Sequence, residues 1–203
     1  MRSVIPDHFK IVTVSGLHSN IGKTLLSERL LSMLAHAAAI KMTTSDFKTF
    51  VTDAANKIMV RGKDTWRLKQ SGAEKVVWVM AEEKDTLDAF KQSLTLVAGH
   101  EQLLVEGNSI LEYIDPLLSF FICDDRVLNA GRVKPSRKTA LKKAHVVVYN
   151  LRAGSPGRVE DVRAFCKAMN PDADFYSMNL TAADICRKIL MPVLEQYSLV
   201  VTG

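Results

Sequence analysis

Apolar residues follow two alternating rhythms along the chain: short continuous runs rich in β-branched residues, and longer stretches in which they recur every three or four positions. The continuous runs are Ile11 to Val14, Ala37 to Met42, Val76 to Met80, Leu103 to Val105, Leu117 to Cys123 and Ala144 to Asn150. Runs that do not alternate with polar residues predict strands buried on both faces, as in a parallel sheet. Between them, helical spacing predicts helices over Leu25 to Leu34, with Glu28 and Arg29 on the outer side, and over Asp85 to Val97, with Leu87, Phe90, Leu94 and Val97 inward. A shorter helix is predicted within Gly62 to Ala73, with Asp64 or Thr65 near its start and Gly72 closing it. The chain then finishes with a helix over Val159 to Met169, a short strand around Asp174 to Tyr176 and a helix from Thr181 towards Tyr197.

Two stretches break the rhythm. Asp53 to Gly62 is irregular, with Lys57 to Arg61 predicted as a short edge strand; Asp124 to Lys138 combines turn formers with a cluster of positive charge. Strands alternating with helices over the whole chain predict an α/β fold of three layers, a mostly parallel central sheet covered on both faces, formed as one domain over residues 1–203. The pattern does not fix the strand order.

Composition narrows this picture. Of the 203 residues 47% are hydrophobic and 24% charged, ordinary values for a soluble globular protein, and no apolar run is long enough to span a bilayer. The N-terminal residues carry no long apolar region, so no secretion signal is expected and the default location is cytoplasmic. Cys123, Cys166 and Cys186 are far apart and odd in number, which suits neither a disulfide framework nor a metal site. The net charge of +5 is modest, and without a basic stripe interleaved with aromatics it does not point to nucleic acid.

The chemistry concentrates where the first strand meets the first helix, in Gly16-Leu-His-Ser-Asn-Ile-Gly22-Lys23-Thr24. A glycine-bounded polar loop between strand and helix, ending in Lys-Thr, is the arrangement of a phosphate-binding P-loop, in which backbone N–H groups converge on one anion. Gly16, Ser19, Asn20, Ile21, Gly22, Lys23, Thr24 and Leu25 are the expected nucleotide contacts, with Lys23 on the β and γ phosphates and Thr24 on Mg²⁺. Between Gly16 and Gly22 the loop holds one residue more than the usual spacing.

Further candidates stand at the ends of later strands, where such sheets collect ligand contacts. Lys41 is positioned for a phosphate. Asp46 either holds a Mg²⁺-bound water or caps a turn, and Glu106, an acid ending an apolar strand, either steers Mg²⁺ or its water or simply faces solvent. Lys23 and Glu106 are the catalytic candidates, Thr24, Asp46 and Glu106 the metal candidates. Asn150 has an amide suited to a purine edge, His145 reads as a core or strand-edge histidine, and the basic stretch Arg132 to Lys138 covers a second anion or, with slight preference, is a solvated charge run.

The P-loop, then Ile40-Lys41, then Gly62-Lys-Asp-Thr-Trp-Arg67 with Ser71-Gly-Ala-Glu74, then Val105-Glu-Gly107 together resemble the MobB family of molybdopterin guanine dinucleotide biosynthesis. The resemblance covers about the first half of the chain. It implies GTP binding, slow GTP hydrolysis, Mg²⁺, a homodimer and an adaptor role beside the nucleotidyltransferase that acts on molybdopterin. Three features differ from the family pattern: the longer loop, Met42 to Asp46 in place of a histidine-rich turn, and Asn108 where a bulky residue is expected. The longer loop, with Lys41 after the second strand, is similar to dethiobiotin synthetase and its relatives, which implies ATP and, as the alternative function, a kinase or synthetase acting on a small anionic acceptor.

Overall fold

The structure, a computed structural model, describes residues 5–132 and 134–202, without the side chains of residues 130–132. Strands β1 (Lys10–Gly16), β2 (Ala38–Thr44), β3 (Phe50–Thr52), β4 (Lys75–Ala81), β5 (Gln102–Glu106), β6 (Leu118–Cys123), β7 (Val146–Asn150) and β8 (Asp174–Met178) form one eight-stranded sheet. Its order is β3-β4-β2-β5-β1-β6-β7-β8, and every neighbouring pair is parallel except the antiparallel β3–β4 edge. The expected mostly parallel sheet is therefore present. Strands β5, β6 and β7 are buried at every residue, which is why they read as unbroken apolar runs.

The helices are α1 (Lys23–Leu31), α2 (Ala55–Ile58), α3 (Asp64–Gln70), α4 (Thr86–Leu96), α5 (Pro135–Lys142), α6 (Val159–Met169) and α7 (Ala183–Gln196). One face of the sheet packs Val12 and Val14 of β1 against Leu26 and Leu30 of α1, Leu68 of α3 and Leu190 and Leu194 of α7. The opposite face covers Ile11, Ile40 and Val105 with Phe90 and Leu94 of α4, and Phe121 and Tyr149 with Leu141 of α5 and Val162 of α6. Consecutive residues of β1 thus serve opposite layers, as the two-residue period of a strand requires.

Three local expectations are corrected. Lys57 to Arg61 is not a strand: the chain forms the short helix α2, whose Ile58 is buried, and the edge strand lies earlier at Phe50–Thr52. The Thr52 hydroxyl accepts the Ala54 N–H and so ends the strand. The polar stretch after Lys41 continues β2 as far as Thr44. The basic stretch is not irregular throughout, because 3-10 turns over Asp125–Arg132 lead to α5, begun by Pro135 at a position where a missing N–H costs no helical hydrogen bond. The side chain of Arg132 and all of Val133 lie outside the described residues. His145 fits the expectation made for it: its Nδ1 accepts the backbone N–H of Ser119, and its ring meets Tyr197 edge-on.

Candidate functional site

Register brings the strand-end candidates together. Lys41 pairs with Glu106 across β2–β5, and Val14 pairs with the same Glu106 across β1–β5, so the end of β5 sits between Lys41 and the start of the loop. At the tip of β1, Gly16 is gripped by Asn108, whose Oδ1 accepts the Gly16 N–H at 2.8 Å and whose Nδ2 donates to the Gly16 carbonyl at 2.9 Å. A Cβ on Gly16 would stand 2.8 Å from Ile21 Cγ2 and 3.1 Å from the Ile122 carbonyl, so the loop can fold back this closely only over a glycine.

Beyond Gly16 the loop is tied down at further points. Ile21 is fully buried, and its carbonyl accepts the Asn150 amide at 2.8 Å. His18 sets Nε2 3.0 Å from Asp124 Oδ2, while its Nδ1 lies 2.6 Å from the Ser19 carbonyl. Gly22, at φ +113°, takes a left-handed conformation that a side chain would strain, and it turns the chain into α1. The additional residue is thus accommodated in an anchored loop.

Lys23 crosses this loop and donates from Nζ to the His18 carbonyl at 2.9 Å. Burial pulls its pKa below the usual lysine range, and the nearby charges of Lys41 and Arg137 add to the effect against the opposing pull of Glu106. Glu106 is 1% exposed; its Oε1 accepts both the Thr24 hydroxyl at 3.0 Å and Lys41 Nζ at 2.5 Å. Its other oxygen, Oε2, is buried with no hydrogen-bond partner among the described residues. Lys41 also pairs with Asp64 Oδ2 at 2.7 Å. Burial works against charge on both groups, yet Glu106 and Asp64 hold the Lys41 pKa above its ordinary value, and hydrogen bonds from Lys41 and Thr24 hold that of Asp64 below its own. Behind Asp64 on α3, Arg67 forms a two-pronged bond with Glu28 of α1, both contacts 2.8 Å.

These groups open onto a cleft of about 800 Å³ at the C-terminal edge of the sheet. Its wall takes in Ser19, Asn20 and Gly22 to Leu25, together with Lys41 and Glu106. Gly16, Ile21 and Asn150 stand behind that wall, where they shape the loop. Asn150 spends its amide on Ile21 and on the N–H of Arg152. Asp46 is exposed in the turn after β2 and does not reach the cleft; the aspartate beside Thr24 and Lys41 is instead Asp64. Asp64, Asn108 and the His18–Asp124 pair are contributors that were not among the site residues expected from the sequence. Among the described residues no three His, Cys, Asp or Glu side chains cluster as a metal site, and no helix is long and apolar enough to cross a membrane.

The model of the family described as molybdopterin guanine dinucleotide synthesis protein B, MobB, matches residues 11–111, the segment that holds the loop, Lys41, Asp64, Glu106 and Asn108. Over residues 11–111 the chain is similar to the MobB family. The MobB match runs from β1 to the turn that follows β5, and it bears out the resemblance read from the motifs. No curated protein matches the chain. Among solved structures it is similar to HypB from Helicobacter pylori in complex with nickel (14% identity, 94% of this chain and 88% of that one, TM-score 0.59). It is also similar to the hydrogenase maturation factor HypB from Archaeoglobus fulgidus (17% identity, 92% and 91%, TM-score 0.56). Signal recognition particle 54 kDa protein from Aeropyrum pernix K1 in complex with GDP aligns at 14% identity over 96% of this chain and 49% of its own length, with a TM-score of 0.51. At these identities the likeness establishes the fold alone.

Proposed function

We propose that this MobB-like protein binds GTP with Mg²⁺ in the cleft at the P-loop, hydrolyses it slowly, and acts as a homodimeric adaptor beside a molybdopterin nucleotidyltransferase. The observation that carries the binding reading is the unsatisfied Oε2 of Glu106, a fully buried carboxylate oxygen two bonds from one that already bridges Thr24 and Lys41. A buried acceptor without a donor costs free energy, and a hydrated cation removes that cost. The donors fit Mg²⁺, which takes few protein oxygens and keeps several waters: the Thr24 hydroxyl would ligate it, with Glu106 and Asp64 holding it directly or through water. When bound, the ion neutralises charge on the phosphate oxygens.

The remaining work falls to side chains of the chain itself. Lys23 exchanges the His18 carbonyl for a phosphate oxygen, and the anion restores the stabilisation that burial takes from its ammonium group. Lys41, poised between Glu106 and Asp64, brings a second cation to the same cleft. Glu106 orients a water through its free oxygen. The preference for GTP and the adaptor role rest on the MobB match.

Calorimetric titration with GTP and with ATP in the presence of Mg²⁺ tests the proposal. Saturable binding with GTP preferred supports it; a clear preference for ATP removes the GTP reading, and binding of neither removes the whole of it.

A further inference from the structure

The cleft extends past the P-loop to the first residues of α5, where Lys134, Ser136 and Arg137 form part of its wall. Nearby cations are already matched with acids: Lys41 with Glu106 and Asp64, Arg67 with Glu28, Arg126 with Asp124, Lys143 with Asp115. The side chains of Lys134 and Arg137, by contrast, make no ion pair or hydrogen bond among the described residues. Arg137 and Lys23 line the same cleft. Like charges that share a partly desolvated hollow repel, and an anion bound between them turns that repulsion into attraction.

The wall is also fixed in position. Helix α5 packs on the turn that follows Glu106, and Lys143, just past its end, bonds to the Ile114 carbonyl and to Asp115. A guanidinium fork, an ammonium group and a hydroxyl on one rigid segment match an oxyanion with several acceptor oxygens.

We propose that Lys134, Ser136 and Arg137 form an oxyanion subsite, separate from the P-loop, that takes a tetrahedral phosphate-type group. The group is either the terminal phosphoryl of the bound nucleotide or that of a separate phosphate-bearing ligand, and the subsite rests on the P-loop reading of the cleft.

The test compares wild type, Arg137→Gln and the double variant Lys134→Gln/Arg137→Gln in calorimetry with GDP and GTPγS in Mg²⁺, and then in phosphorus NMR with inorganic phosphate added to the GDP-loaded protein. If the nucleotide supplies the group, the variants lose roughly tenfold or more in GTPγS affinity and keep their GDP affinity, which also shows that they are folded. If a separate ligand supplies it, both nucleotide affinities stay unchanged, and the line broadening of inorganic phosphate seen with wild type disappears in the double variant. A wild-type chain that binds both nucleotides, with neither readout altered by the variants, overturns the subsite alone. A wild-type chain that binds neither nucleotide overturns the P-loop reading and the subsite with it.

Discussion

Asn108 holds Gly16 by both of its backbone polar groups, accepting from the N–H at 2.8 Å and donating to the carbonyl at 2.9 Å. One side chain from the turn that follows β5 therefore fixes the point at which β1 gives way to the P-loop. Asn108→Ala leaves both backbone groups without that partner, a loss of about 1–3 kcal/mol. Urea unfolding should show a lower midpoint, and nucleotide affinity should fall with it because the loop is then no longer held at its base. Asn108→Asp keeps the acceptor but sets a charged oxygen against the Gly16 carbonyl, so at pH 7 its midpoint should fall at least as far as that of the alanine variant.

Glu106→Gln keeps the shape of the strand end but removes the charge that Lys41 and Thr24 share. Nucleotide should still bind and turnover should be lost, as read from phosphate release under single-turnover conditions. Hydrolysis at the wild-type rate would remove Glu106 from the catalytic machinery.

The Lys41–Asp64 pair makes a prediction about pH. Asp64 has its folded pKa held below 3.8, so its contribution is present at neutral pH and disappears as the pH falls through that depressed value. Lys41 has its folded pKa held above 10.5, so its contribution is complete below 10.5 and disappears as the pH rises through the raised value. Asp64→Asn should therefore lower the unfolding midpoint at pH 7, while the difference from wild type closes at the acid end. The size is modest because the Asp64 side chain is 45% exposed.

Lys23 carries the opposite sign. Burial depresses its pKa, so the unfolded chain binds the proton more tightly, and the penalty is complete below the depressed folded value and vanishes above 10.5. Lys23→Met should raise the thermal midpoint of the nucleotide-free chain at pH 7 and abolish nucleotide binding. A midpoint that falls would show that the bond to the His18 carbonyl outweighs the burial penalty.

The sequence made the layers legible because the central strands are covered on both sides and so spell unbroken apolar words. It misled at the edge: Phe50–Thr52 is short and only partly buried, so no period marks it, while Ile58 and its neighbours resemble a strand by composition and form a helical turn instead. Helix α5 was hidden by its charge, although Pro135 at its start is the signal that would have found it. Within the cleft, Lys23, Thr24 and Glu106 were readable because strand ends and loop spacing are local features. Asp64, Asn108 and the His18–Asp124 contact were not readable as site residues, because each acquires its role from a partner that only the sheet order brings near. Asp46 was the natural choice by proximity to Lys41 in sequence, and the fold turns it outward.

The strand order gives the family boundary a physical location. Residues 11–111 supply β3-β4-β2-β5-β1, and all of β6-β7-β8 comes from beyond them, so the limit of the MobB match is a seam running lengthwise beside the P-loop strand. A fragment cut at that limit would turn β1 from an interior strand into a bare edge, with its unpaired backbone N–H and C=O groups open to pairing with other chains. It would also strip the loop of Asp124 and Asn150, the props that reach across from the other side. The half that carries the nucleotide motifs thus depends on the half that lacks them for both its solubility and the shape of its loop.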